Sequence, residues 1–298
     1  GRTRLDMKII NTIDSERTYL EPISFVPTMG ALHEGHLSLV QQAKEFSNQV
    51  WMSIYVNELQ FNNTEDFNTY PQDLDGDISK AEKAGVDILF VPKQEFLLGE
   101  GSIEKVLSGE KGSMLEGFSR PGHFDGVLTI VNRLLRLTLP RYLVLGQKDA
   151  QQFYIIRDKL SNKFPKTKFI SAPIVRDNTG LALSSRNMLL EENSRNLARE
   201  LFNTLKIFSF NLLNGDSASL SLDKARKYII NFEGIVLDYL EVVDVETFES
   251  LSEKTREFYV LIAATIDGVR LIDNIRIEKK VDEYHFDLGV NLLGEKIK

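Results

Sequence analysis

TMGALHEGHLSLV, residues Thr28 to Val40, follows the apolar run Ile23-Ser24-Phe25-Val26 and opens a stretch with helical spacing. Leu37, Val40 and Ala43 fall on one face of a helix that begins near Gly35. A strand passing through a glycine-bearing turn into a helix is the working unit of an α/β sheet. The chain has only four histidines, and His33 and His36 both sit at this seam. A zinc site, a phosphate cradle and a capped helix end are the three readings it opens.

The alternation continues downstream. Val50–Val56 reads as a buried strand, Leu74–Ala84 as a helix ended by Gly85, and Val86–Val91 as a strand stopped by Pro92. Val127, Ile130, Val131, Leu134 and Leu135 line one face of a helix that ends before Pro140. Tyr142–Leu145, Ala150–Leu160 and Phe169–Val175 follow as strand, helix and strand. Apolar strands alternating with helices predict class α/β, a Rossmann-like doubly wound parallel sheet covered on both faces. Ligands of such sheets sit outside the carboxyl ends of the strands. The polar stretches after Val26, Val56, Leu145 and Val175 are therefore expected to meet in one crevice.

After Val175 the texture changes. Helical patterns at Asn193–Leu213 and Leu222–Phe232 precede strand-like runs at Ile235–Val243, Phe258–Ala264 and Val269–Ile277. The Asp-Gly in Ile266–Arg270 is a hairpin signal. The expected organisation is a Rossmann-like domain over 1–175 and a smaller C-terminal α+β domain over 176–298. Gly1–Asp6, polar and ahead of Met7, are read as an artificial leader outside the fold.

The 298 residues, 42% hydrophobic and 27% charged, suit one large or two ordinary globular domains. A net charge of −7 argues against a nucleic-acid backbone as the main partner. The absence of cysteine excludes disulfides, thiolate metal sites and cysteine nucleophiles. No apolar run approaches the roughly 18 residues of a membrane span, and no signal pattern opens the chain, so a cytoplasmic location is expected.

Neither a Gly-x-x-x-x-Gly-Lys loop nor a Gly-x-Gly-x-x-Gly turn occurs. A helix starting near Gly35 offers another device, since its first N–H groups and dipole favour an anion. His33 and His36 would add imidazole donors at the same place, which suits a phosphate or its transition state. The plainer alternative is that His33 caps or packs locally while Gly35 serves the turn. Zinc is disfavoured by the tight spacing and the missing cysteines.

Other stretches carry chemistry at the strand ends. In Asn57–Phe61, Asn57 and Gln60 supply amides fit for reading hydroxyl and carboxylate groups, or simply for loop structure. Arg120 and His123 flank the Pro121-Gly122 turn, where Arg120 suits an anion. In Gly146–Gln152, Lys148 suits phosphates and Asp149 a ribose, while Asp149-x-x-Gln152 also reads as a capping box. Gly180–Asn187, with Ser184, Ser185 and Arg186, reads as a mobile loop able to close over a polyphosphate, or as a serine-rich turn at a domain junction.

Taken in order, FVPTMGALHEGHLSLV, SIYVNELQF, YPQDLDGDI, RPGHFDGVLTIV, LGQKDAQQ and IVRDNTGLALSSRN resemble the signatures of the pantothenate synthetase (pantoate–β-alanine ligase) family. LDYLEVVD (Leu237–Asp244) and LIDNI (Leu271–Ile275) fit the same family. The resemblance implies a nucleotide- and pantoate-binding first domain and an AMP-forming ligase of pantothenate, hence coenzyme A, biosynthesis. ATP and (R)-pantoate would give pantoyl adenylate and pyrophosphate, and β-alanine would then displace AMP. It also implies magnesium, a homodimer and membership of the His-x-Gly-His nucleotidyltransferase group.

By the same motif match, ATP contacts are expected from Met29, Gly30, His33, His36, Gly146, Gln147, Lys148, Asp149, Val175, Leu183, Ser184, Ser185 and Arg186. Gln60 and Gln152 match pantoate contacts, with Asn57, Arg120 and His123 beside them for pantoate or β-alanine. His36, His33, Lys148 and Arg186 are the catalytic candidates, acting as donors to phosphate oxygens. Asp77 is the protein candidate for magnesium. Gly76 stands where the family often has a second acidic residue, so phosphates and water should supply most contacts of the ion. Glu58 stands where the family usually has proline. Rival readings are another adenylyltransferase of the group, or a nucleotide-binding regulator without turnover.

Overall fold

The computed structural model describes residues 6–14, 22–99 and 103–298; Gly1–Leu5 of the expected leader lie outside them. The chain forms two compact units. The first takes in the chain up to Gly146 and again Gln151–Ala172, and the second Gln147–Ala150 and Pro173–Lys298.

In the first unit the strands are β1 (Lys8–Ile10), β2 (Ile23–Thr28), β3 (Gln49–Ile54), β4 (Ile88–Phe90), β5 (Tyr142–Gly146) and β6 (Lys168–Ala172). They form one sheet in the order β1-β4-β3-β2-β5-β6, with every pairing parallel. Between them run α1 (Glu34–Phe46), α2 (Thr64–Thr69), α3 (Leu74–Ala84), α4 (Gln94–Leu98), α5 (Glu116–Ser119), α6 (His123–Thr138) and α7 (Ala150–Leu160). Ile23, Phe25 and Val26 of β2 and Val50 and Met52 of β3 are fully buried, and α1 and α3 pack into the same core through Val40, Ala43, Ala81 and Ala84. Gly85, in the left-handed region at φ 96°, ends α3 as a C-cap.

The winding reverses between β2 and β5. From β2 the chain moves out through β3 to β4, and from β5 it moves the other way to β6. β2 pairs with β3 along six positions but with β5 only at Ser24–Tyr142 and Phe25–Leu143. Beyond those pairs no ladder joins the carboxyl halves of β2 and β5, all of whose residues are described. That switch point is where an open α/β sheet takes its ligand. The doubly wound sheet is as the sequence predicts. β1 is not foreseen, because three residues, two of them exposed, carry no periodic signal. β6 stops at Ala172, short of Val175.

In the second unit α8 (Glu192–Leu213) and α9 (Ala218–Ile229) cover an antiparallel sheet. Its strands are β7 (Ile235–Asp244), β8 (Glu257–Ile266), β9 (Val269–Lys279) and β10 (Tyr284–Asp287), in the order β10-β9-β8-β7. Asp267 and Gly268 take φ values of 50° and 76° and close the β8–β9 hairpin, as the Asp-Gly signal requires.

This unit is organised around a charged pair. Arg176 is wholly buried and Asp273 is 3% exposed. The Arg176 Nη1 and Nη2 donate to the two Asp273 carboxylate oxygens at 2.6 and 2.9 Å. The remaining N–H groups reach Leu288 O at 2.7 Å, Gly180 O at 3.1 Å and Asn274 O at 3.0 Å. The guanidinium lies over Phe202, 3.9 Å from the ring centroid. All five donors are thus met, the condition under which a buried cation is tolerated. Asp273→Ala is expected to cost about 3–5 kcal/mol in urea unfolding, because it strands that cation. A loss below about 1 kcal/mol, the scale of an exposed pair, would contradict this role.

Candidate active site

The turn from β2 to α1 is held from outside by α3. Asp77, 3% exposed, accepts from Leu32 N–H on Oδ1 at 2.9 Å and from Ala31 N–H on Oδ2 at 3.0 Å. Lys80 donates to Leu32 O at 3.0 Å. The turn needs two residues with positive φ, Gly30 at 79° and Ala31 at 52°. A Cβ at position 30 would lie 2.9 Å from Asp77 Oδ2 and 3.1 Å from Ile54 Cγ2, so the glycine permits the close approach. Buried N–H groups in such a turn require acceptors, and Asp77 supplies both.

The two histidines then cap α1 reciprocally. Gly35 N–H donates to His33 Nδ1 at 3.0 Å, and His33 N–H donates to His36 Nδ1 at 3.1 Å. Accepting at Nδ1 assigns the proton of each neutral ring to Nε2, which makes Nε2–H the donor each ring can present. The rings are 4.1 Å apart between centroids. The capping alternative is therefore realised. It also revises the picture of bare helix amides, because the N–H groups of Gly35 and His36 already have partners in His33. Imidazole, more than backbone, is what this helix end offers an anion.

The 57–60 turn follows β3 and packs on the start of α6. Asn57, 2% exposed, donates to Gln60 Oε1 at 3.0 Å and Gly126 O at 3.1 Å, while its own oxygen accepts from Leu59 N–H. A Cβ at Gly126 would run into the Leu59 backbone. The buried ring of His123 bonds Gln60 O through Nδ1 at 2.9 Å, so here Nδ1 carries the proton. Asn57 and His123 thus hold the turn from within, and Gln60 is the residue they present. Burial raises the phenol pKa of nearby Tyr55, with the Glu58 and Glu95 carboxylates adding to it.

Gln151 is a residue that sequence reading missed. It is buried, accepts from Glu116 N–H at 3.0 Å and donates to Lys111 O and Met114 O, both at 2.9 Å. It pins the segment leading to half-buried Arg120, and its neighbour Gln152 is half-buried. Only its place beside Gln152 hinted at importance, and a glutamine doublet does not reveal which member faces inward.

In the second unit Gln147–Asp149 form a single 3-10 turn directly after Gly146. Gln147 is buried, Lys148 half-buried and Asp149 exposed. The segment read as a loop over Gly180–Asn187 begins inside a hairpin over 175–183. Leu183 N–H donates to Val175 O at 2.9 Å, Arg176 bridges to Ala182, and Asp177 accepts from Thr179 and Leu181 N–H. Gly180, at φ 93°, lets the chain press on Phe202. Ser184 then caps a 3-10 turn at Ser185–Leu189 by accepting from Arg186 N–H, and the Arg186 side chain is exposed.

The structure places His33, His36, Gly30 and Met29 together on the turn after β2, and Gln60, Asn57 and His123 together after β3. Lys148 and Gln147 share one turn of the second unit; Val175 and Leu183 pair in its hairpin, and Ser184 to Arg186 open the next 3-10 turn. Among the described residues, no group of three or more histidine or acidic side chains is arranged to hold a metal ion. Asp77 faces the turn with both oxygens, each accepting one backbone N–H.

The family model for pantoate-beta-alanine ligase matches residues 5–276. The chain belongs to that family. It is 40% identical over 276 residues to the pantothenate synthetase of Thermotoga petrophila, covering 90% of this chain and 99% of that one. It is also 39% identical to that of Cytophaga hutchinsonii, covering 86% and 91%. The crystal structure of pantothenate synthetase from Thermus thermophilus superposes with a TM-score of 0.83 at 35% identity, covering 90% of this chain and 98% of the other. A Francisella tularensis pantoate-beta-alanine ligase, solved with beta-gamma ATP and beta-alanine, gives 0.72 at 35% identity, covering 90% and 97%. As a member of this ligase family the chain is an enzyme.

Asp77→Ala should orphan the Ala31 and Leu32 amides. Hydrogen exchange at those two positions is expected to quicken, with a global loss of about 2–3 kcal/mol for charge-assisted bonds. Unchanged exchange at both amides would remove Asp77 from this role.

Proposed function

We propose that the chain condenses (R)-pantoate with β-alanine to pantothenate at the cost of one ATP. The pantoate carboxylate attacks the α-phosphorus, the bond to the β-phosphate oxygen breaks, and pyrophosphate leaves. The β-alanine nitrogen then attacks the acyl carbon of pantoyl adenylate, the acyl–oxygen bond breaks, and AMP leaves as the nitrogen sheds its proton. The observation that carries this reading is the reciprocal histidine cap at the switch point of the sheet. It fixes two Nε2–H donors where phosphate is bound in such folds.

Pantoate's carboxylate is ionised near neutral pH, so the first step calls for positioning and charge stabilisation and not for a base. His33, His36, Lys148 and Arg186 are assigned to phosphate oxygens as the charge on phosphorus grows. Met29, Gly30, Gly146, Gln147, Asp149, Val175, Leu183, Ser184 and Ser185 are assigned to the rest of the nucleotide. Gln60, Gln152 and Arg120 are assigned to the small substrates, while Asn57 and His123 serve them by holding Gln60. Magnesium belongs to this reading as the counter-ion of ATP, bound by phosphates and water; no protein carboxylate is assigned to it. A homodimer in the cytoplasm, with small molecules as partners, accords with the family.

Exchange of labelled pyrophosphate into ATP should require pantoate and should not require β-alanine. Exchange that runs equally well without pantoate would point to a different acceptor, and no exchange at all to a binding protein without turnover. His36→Ala or Lys148→Ala is expected to slow the exchange by at least about 100-fold, the usual effect of losing a charge-stabilising donor.

A further inference from the structure

The LIDNI stretch, Leu271–Ile275, has no part in the assignments above, yet it reaches the turn that carries Lys148. Asn274 lies in β9 and is 1% exposed. Its Nδ2 donates to Gln147 O at 2.9 Å and to Lys148 O at 3.1 Å, and its Oδ1 accepts from Gln147 Nε2 at 3.1 Å. Both donor hydrogens and one acceptor site are thus directed at a single short 3-10 turn. We propose that Asn274 is a positioning residue for Lys148, fixing the backbone from which the ammonium leaves.

The anchor of Asn274 is itself rigid. Its N–H donates to Asp273 Oδ1 at 2.7 Å and its carbonyl accepts from Arg176 Nη2 at 3.0 Å. It also stands opposite Leu261 in the β8–β9 ladder. The same Arg176 holds Gly180 O, and with it the hairpin that leads to Ser184–Arg186. One buried pair therefore fixes the bases of two cationic side chains, Lys148 through Asn274 and Arg186 through the hairpin. A turn of three residues has no core of its own and takes its geometry from such partners. A misplacement of about 1 Å at a catalytic group costs on the order of 100-fold in rate.

The inference rests on the role given to Lys148, so its test is a double-mutant cycle that separates the two. Asn274→Ala removes all three bonds, and Asn274→Asp keeps the shape but sets carboxylate oxygens against two carbonyls. Each is expected to lower kcat for pantoate-dependent pyrophosphate exchange by about 10- to 100-fold, with the KM for pantoate little changed. In a Lys148→Ala background, Asn274→Ala should cost less than about twofold more, because its effect passes through the lysine. Equal losses in both backgrounds overturn the proposal. So does an unchanged kcat in Asn274→Ala while Lys148→Ala is slow, or circular dichroism showing both Asn274 variants unfolded even in the cold. A Lys148→Ala enzyme that keeps the full rate overturns the underlying role of Lys148, and the proposal with it.

Discussion

A buried carboxylate closing a strained turn is the constraint on which the histidine-bearing end of the first unit depends. The chain leaves β2 through Gly30 and Ala31, both at positive φ, and must expose two amides as it does so. Asp77 takes both, from a helix that lies more than forty residues further along the chain. With the turn closed in this way, His33 arrives as the N-cap of α1 and His36 meets it one turn on. Each ring then has its Nδ1 occupied by backbone. The capping bonds thereby set the tautomer of both rings.

The turns of the second unit obey the same logic with different partners. Lys148 and Arg186 sit on short 3-10 turns that make few bonds of their own. Asn274 and the Arg176–Asp273 pair supply them from the interior of an antiparallel sheet unit. A buried ion pair is costly to desolvate and is poor evidence for stability by itself. Here its five satisfied donors tie together β9, the hairpin over 175–183 and the carbonyl of Leu288, which gives it a task in placing segments.

Residue types that read substrates in a sequence can also serve the protein interior. Asn57 and His123 have the residue types and the strand-end location of binding groups, yet both are buried and bonded to the 57–60 turn. Gln60 is what they display. Asp77 resembles a metal ligand for the same reason, since an acidic residue near a phosphate-binding turn has the same composition whether it faces an ion or an amide.

The sequence by itself determined the longer elements and the family. Apolar runs at strand length, helical spacing around Val40 and Val127, and Gly85 and Asp267-Gly268 as stops are local signals, and local signals survive in one dimension. The ordered motifs did the same for the family. Tertiary structure alone decided which polar groups look inward. Whether Asp77, Asn57, Gln151 or Asn274 meets solvent, substrate or a distant carbonyl depends on partners dozens of residues away. No periodicity encodes them, because each bond forms only after the sheets and helices have packed.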